Sequence, residues 1–229
     1  MDQDAAKRRA AWKACEFVES GMVVGLGTGS TAAHAVKRLG ERAKNDGLRI
    51  TGVPTSLATE RLAREVGLPL ATLDDVDRVD LTIDGADEVD PKLDLIKGLG
   101  GALLREKIVA SVTARQIIIV DATKIVPKLG TKAPLPVEVL PFGQAAVKRA
   151  LEARGWKVEL RRRDGKPFVT DNGNLVFDVR FAEGIEDAAA LEREVNTIPG
   201  VVDNGLFVGR TWKVVVAEAD GSTRILSRP

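Results

Sequence analysis

The most constraining feature of this sequence is a repeated change of period. Over its first 124 residues, short apolar runs ending in glycine or acid alternate with segments whose apolar residues recur at helical spacing. Met22-Val23-Val24-Gly25-Leu26 runs straight into further glycines, as a strand buried on both faces does. Ala32, Val36 and Leu39 then form a helical stripe. Residues 48–53 predict a second strand and 57–66 a helix, after which Val79, Leu81 and Ile83 alternate with Asp80 and Thr82 as a third strand. Residues 102–114 predict a helix, and 117–120 a central strand ending at Asp121. Ahead of all these, Ala11, Cys15 and Val18 predict an amphipathic helix over about 4–20. Strands alternating with helices fold as an α/β, Rossmann-like doubly wound sheet that is mostly parallel. Ligands of such sheets bind beyond the carboxyl ends of the strands. Chemistry is therefore expected at residues 25–31, 54–56, 84–88 and 121–124.

The rhythm breaks where Pro127, Pro134, Pro136 and Pro141 follow one another closely. Beyond the break the pattern predicts a strand (137–140), a helix (144–154), a hairpin (156–161 with 174–180), a helix (187–196) and a strand near 201–208. That β-α-β-β-α-β order is a ferredoxin-like α+β motif. Residues 213–217 and 223–226, around Asp220-Gly221, read as a last hairpin that rejoins the first domain. The expected division is a Rossmann-like domain of 1–130 plus 208–229, with a smaller ferredoxin-like domain of 131–207 inserted before the C-terminal hairpin.

Charge and cysteine content narrow the function. Lys+Arg is 34 against Asp+Glu 33, so no basic face for nucleic acid is expected. No stretch approaches the roughly 18–20 apolar residues that span a bilayer. The N-terminal residues 1–9 are polar, with Asp2 and Asp4, and no apolar signal core follows. A single cysteine, Cys15, makes no internal disulfide and reads as a small helical core residue. With one histidine beside it, a built-in zinc site is not expected. These features predict a soluble cytoplasmic protein.

Gly25-Leu26-Gly27-Thr28-Gly29-Ser30-Thr31 lies between a strand and a helix. Glycines admit a ligand close to the backbone, the helix start offers N–H groups, and Ser30 and Thr31 add hydroxyls, so a phosphate monoester is the natural guest. The plainer reading is a tight turn with an N-cap hydroxyl. A triphosphate-binding loop needs Lys before its Ser/Thr, and Gly29 stands there. The dinucleotide pattern fails at Ser30, and the second strand runs into Pro54-Thr55-Ser56 with no carboxylate for a ribose diol. A methyltransferase-like G-x-G-x-G is present at Gly25, Gly27 and Gly29, but the missing carboxylate weakens it too. A small sugar phosphate fits better.

Asp84-Gly85-Ala86-Asp87-Glu88 follows the third strand, and Lys97-Gly98-Leu99-Gly100-Gly101 leads into the next helix, which carries Glu106. Taken singly, such acids are surface residues or caps. Their convergence at one sheet edge, with a lysine to balance them, is what points to catalysis. His34 lies one turn inside its helix and reads as packing or capping support.

These segments resemble ribose-5-phosphate isomerase of the A type. The matches are Gly25 to His34, Asp84 to Glu88, Lys97 to Lys107, Asp121-Ala122-Thr123-Lys124, Pro134 to Val139, Thr170-Asp171-Asn172-Gly173-Asn174 and Ile198 to Val202, in the family's order along nearly the whole chain. Leu99 departs from the glycine common at that position. The resemblance implies interconversion of D-ribose 5-phosphate and D-ribulose 5-phosphate, in the non-oxidative branch of the pentose phosphate pathway, with no metal or organic cofactor. It implies Glu106 as proton acceptor, with Asp84, Asp87 and Lys97 around the reacting end of the sugar. Substrate-binding positions by the same resemblance are Thr28, Gly29, Ser30 and Thr31; Asp84, Gly85, Ala86 and Asp87; Lys97, Gly98, Leu99 and Gly100; and Lys124. It further implies a homodimer, in some members a larger homo-oligomer, and neither nucleic-acid nor membrane partners. The non-enzyme alternative is a sugar-phosphate sensor, for which the single helix before Met22 is too short an output module.

Overall fold

The run Val23–Leu26 (β1) forms a strand because Val24 and Leu26 send their side chains to one face, where both are buried. In register beside them stand Leu81 and Ile83 of Val79–Gly85 (β3). The computed structural model describes residues 3–228; Met1 and Asp2 of the polar N-terminal stretch, and Pro229, lie outside the described residues. Two units make up the chain: Met1–Ala86 with Arg105–Lys124 and Arg210–Pro229, and Asp87–Leu104 with Ile125–Gly209. The second unit thus draws on residues 87–104, which lie well ahead of the prolines.

In the first unit, Gln3–Cys15 (α1) precedes β1, followed by Ser30–Asn45 (α2), Thr51–Pro54 (β2) and Leu57–Glu65 (α3). After β3 the chain leaves this unit for Glu88–Val89 (β4) and Leu95–Ile96 (β5). It returns along Leu103–Ser111 (α4) into Thr113–Asp121 (β6) and a short 3-10 turn, Ala122–Lys124. In the second unit come Leu135–Val139 (β7), Gln144–Glu152 (α5), Lys157–Leu160 (β8), Arg162–Arg163 (β9), Lys166–Pro167 (β10), Leu175–Arg180 (β11), Ala188–Asn196 (α6), Val201–Asn204 (β12) and Leu206–Phe207 (β13). Thr211–Ala217 (β14) and Thr223–Ser227 (β15) close the first unit.

The first unit's sheet has the order β15-β14-β6-β3-β1-β2, parallel except at β15, as the alternation predicts for an α/β fold. One face is closed by Ala6, Ala10 and Ala14 of α1 with Val36 and Leu39 of α2. The alanines let α1 approach closely. The sequence extends that helix to about residue 20, whereas it ends at Cys15. Its last carbonyls are taken by i→i−3 turns and by Arg42, which donates to the carbonyls of Cys15 and Val18, so Val18 stays buried without being helical.

The helix expected over 102–114 also ends early, at Ser111. The Thr113 hydroxyl donates to Val109 O at 2.7 Å, and the β-branched Thr113 pairs with Val79, starting β6 four residues before the expected strand. Within the second unit the four-stranded sheet has the order β12-β7-β11-β8, all antiparallel, which is the β-α-β-β-α-β arrangement expected. The single strand expected near 201–208 is broken at Gly205 into β12, in that sheet, and β13, which pairs with β5. Among the described residues no helix is long and apolar enough to cross a membrane.

Candidate active site

The glycine loop answers first to packing. A Cβ on Gly25 would lie 2.0 Å from Thr82 Oγ1, and one on Gly27 would lie 2.2 Å from Asp84 Oδ1. These two glycines let β1 press against β3. Gly29 differs: its φ is +103° and nothing crowds it, so it turns the chain into α2 as the N-cap residue. The cap is therefore not a hydroxyl. Ser30 and Thr31 fall in the first helical turn, where backbone N–H groups have no intrahelical acceptor and an anion is favoured.

Thr28 ties this loop to its surroundings. Its N–H donates to Asp84 Oδ1 at 3.0 Å, and its hydroxyl lies 2.7 Å from Thr55 Oγ1 and 2.9 Å from Ser56 Oγ. Thr59 donates to Gly27 O at 2.9 Å and Thr55 to Leu26 O at 3.0 Å. Ser56 also caps α3 by accepting from Thr59 N. Of this hydroxyl cluster the sequence points to Thr28 and to residues 54–56, but not to Thr59. Lys7 was missed as well. From α1 its Nζ donates to Ser30 Oγ at 3.0 Å, placing a cation at the start of α2 that no local motif announces.

Asp84 is 1% exposed, and its Oδ1 accepts from both Thr28 N and Gly85 N, the latter at 2.8 Å. Two backbone donors thus fix the position of this carboxyl group at the carboxyl end of β3. Glu106, 5% exposed, reaches the same end by another route. Helix α4 leads into β6 beside the start of β3, so it runs back from the carboxyl edge of the sheet to the amino edge. Val109 of α4 lies against Gly25, whose register partner is Thr82. Glu106 is one turn earlier on the same side of the helix, about 4.5 Å nearer the carboxyl edge. Asp84 is two residues beyond Thr82 on the same face, about 6.6 Å nearer that edge. The two carboxylates thus share one face and one end of the sheet.

Lys124 ends the 3-10 turn after β6, at the carboxyl edge, where Asp121 caps Thr123. His34 Nε2 lies 2.9 Å from Asp4 Oδ1 and so joins α2 to α1, in keeping with packing support.

In the second unit, Asp87 opens the segment that carries β4, and its Oδ2 accepts from Leu99 N at 2.9 Å. Lys97 is 2% exposed, with Nζ 5.3 Å from the centroid of Phe207. Its backbone N–H donates to Gly205 O at 2.9 Å, and a Cβ on Gly205 would fall 2.3 Å from Lys97 O, which is why the chain breaks there. Gly98 (φ +103°) and Gly101 (φ +86°) bound a turn closed by Gly101 N–H to Gly98 O at 3.0 Å, with Leu99 and Gly100 exposed at its tip. Glu88, grouped with the acids in sequence, is fully buried and accepts from the backbone N–H groups of Gly130, Lys132 and Ala133, so it braces the chain. Elsewhere in the first unit a cleft of about 370 Å³ between α3 and α4, lined by Val53, Pro54, Arg64, Leu70, Arg105 and Ile108, holds none of the residues expected to bind substrate or act in catalysis.

Residues 51–221 match the family model for ribose 5-phosphate isomerase A (phosphoriboisomerase A). The chain is 53% identical to ribose-5-phosphate isomerase A of Nitrobacter hamburgensis, with 100% of both chains covered, and 57% identical to that of Gloeobacter violaceus, with 96% of both covered. It is similar to a solved D-ribose-5-phosphate isomerase in complex with phospho-erythronic acid (TM-score 0.96, 44% identity, 100% of both chains). It is similar also to ribose 5-phosphate isomerase from Plasmodium falciparum (TM-score 0.95, 39% identity, 98% of both chains). With matches of that extent at both the sequence and the fold level, the chain belongs to the ribose 5-phosphate isomerase A family.

Proposed function

We propose that this chain interconverts D-ribose 5-phosphate and D-ribulose 5-phosphate through an enediolate, with Glu106 as the base. The observation that carries the reading is the placement of two buried carboxyl groups, Asp84 and Glu106, on one face at the carboxyl end of the sheet, where α2 also starts. The reaction moves one proton between C2 and C1 and one between the two oxygens. Glu106 takes the proton from C2, negative charge gathers on O1, and the same carboxylate returns the proton to C1. The Lys97 ammonium answers that developing charge, an electrostatic contribution often worth about 3 kcal/mol per donor. Asp84 and Asp87 bond the sugar hydroxyls, and one of them passes the proton between O1 and O2.

The phosphate is the handle that positions the reacting carbons. Its place in this proposal is the start of α2, where Gly29, Ser30, Thr31 and Lys7 gather backbone N–H groups, hydroxyls and an ammonium. Thr28 orients the loop, Lys124 supplies a further cation, and residues 85–86 and 98–100 line the sugar. The similar isomerase bound to phospho-erythronic acid adds support, since a carboxylate is planar and anionic as an enediolate is.

The experiment is incubation of ribose 5-phosphate with the purified chain in deuterated water, followed by proton NMR. Ketose formation with solvent deuterium appearing at C1 or C2 supports the proposal, as does activity that survives exhaustive chelation. Absence of ketose, or a strict metal requirement, contradicts it.

A further inference from the structure

The turn that follows Lys97 is held from outside by a residue the functional reading does not use. Arg161, between β8 and β9, pairs through Nε (3.0 Å) and Nη2 with the carboxylate of Asp178 on β11. Its remaining nitrogen, Nη1, donates to Gly98 O at 2.8 Å and Leu99 O at 3.0 Å. The guanidinium is nearly out of solvent, its side chain 10% exposed. One planar group thus joins the antiparallel sheet to the turn, and Asp178 fixes the plane of the fork.

The contact reaches further because a peptide unit is rigid. Gly98 O and Leu99 N–H belong to the same peptide and point in opposite directions. Arg161 grips the oxygen, and the Asp87 carboxylate accepts from the N–H at 2.9 Å. A cation and an anion therefore sit at the two ends of one amide, an arrangement in which each hydrogen bond polarises the other. The Gly98 φ of +103° permits that peptide orientation, and Phe168 packs where a Cβ on Gly101 would lie, 2.3 Å from its Cε1. Rotation of the 98–99 peptide would release Arg161 and Asp87 together.

We propose that Arg161 is a positioning residue for the isomerisation: acting through the Gly98–Leu99 peptide, it sets the orientation of the Asp87 carboxylate and of the turn that carries Lys97. The proposal rests on the functional reading above, in which Asp87 and residues 97–100 meet the sugar. Lysine keeps the charge but cannot hold Asp178 and two carbonyls at once.

The test uses the full chain with Arg161→Lys, Asp87→Asn and the double variant, assayed on ribose 5-phosphate, with amide hydrogen exchange followed over residues 97–104. Arg161→Lys is expected to lower kcat/KM about 10–100-fold, the scale of a roughly 1 Å misplacement, and to speed exchange in the turn while exchange in the sheets stays slow. Because Arg161 works through Asp87, the double variant is expected to lose little more than Asp87→Asn alone. Should Arg161→Lys fail to fold, Asp178→Asn, which releases the fork from the other side, is expected to show the same paired changes at smaller size. Kinetic loss without faster exchange in the turn, faster exchange without kinetic loss, or fully additive losses overturn the proposal. An inactive wild-type chain defeats the functional reading instead, and shows before any variant is measured.

Discussion

Gly27 and Asp84 share one small volume: a Cβ at residue 27 would lie 2.2 Å from Asp84 Oδ1 and 2.6 Å from Asp84 Cα. The second of those atoms is backbone, so no rotamer change relieves the clash. Gly27→Ala must push β1 from β3 or displace the carboxylate. The expected outcome is a stability loss of about 1–3 kcal/mol, the usual scale of overpacking, together with a fall in kcat of ~100-fold from the displaced acid. Urea unfolding and steady-state assays check it, and wild-type values in both would remove Asp84 from its place beside the glycine loop.

Lys7 and Ser30 meet across α1 and α2, and the phosphate is expected between them and the helix start. Lys7→Ala forfeits a charge-assisted hydrogen bond worth roughly 1.5–3 kcal/mol, hence ~10–100-fold in KM. Ser30→Ala is expected to raise KM more than it lowers kcat. An unchanged KM in both variants moves the phosphate elsewhere.

Thr28 joins three neighbouring hydroxyls and the Asp84 carboxylate. Thr28→Val keeps the shape but strips the hydroxyl, leaving Thr55 and Ser56 to find other partners at a stability loss of about 1–3 kcal/mol. The backbone donor to Asp84 survives the change. Thermal unfolding is therefore expected to shift more than kcat does, and the reverse order would make Thr28 a direct participant.

Burial pushes the Cys15 thiol up from 9.0 to about 12, against the smaller lowering effect of Arg42 and Arg38. The neutral thiol's contribution to stability is complete below pH 9.0 and is lost as the pH rises towards about 12. Alkylation by iodoacetamide at pH 8 is expected to proceed in urea and to stall in the native chain. Rapid labelling of the folded protein would contradict this buried placement.

Much of the first unit could be read directly, since its buried strands are continuous apolar runs and its helices keep a 3.6-residue period. Ends were less legible. Cys15 terminates α1 because Arg42, twenty-seven positions on, takes its carbonyl, and Thr113 leaves α4 because Val79 waits to pair with it. The break at Gly205 depends on Lys97 O, over a hundred residues earlier in the chain. That long-range contact leaves no periodic trace, and neither does the passage of residues 87–104 into the second unit. Among the proposed site residues, Asp84 and Glu106 were visible as acids at strand and helix ends. Lys7 and Arg161 were not, because each acts on a loop distant in sequence.

The central claim is that Glu106 moves the proton between C2 and C1. The most direct measurement compares wild type and Glu106→Gln for turnover of ribose 5-phosphate and for deuterium entry from solvent into the sugar. The account predicts that the amide variant binds substrate with KM little changed, while kcat and deuterium entry both fall at least ~100-fold, the scale of a lost general base. Turnover and exchange near the wild-type rates in a folded Glu106→Gln chain would contradict it.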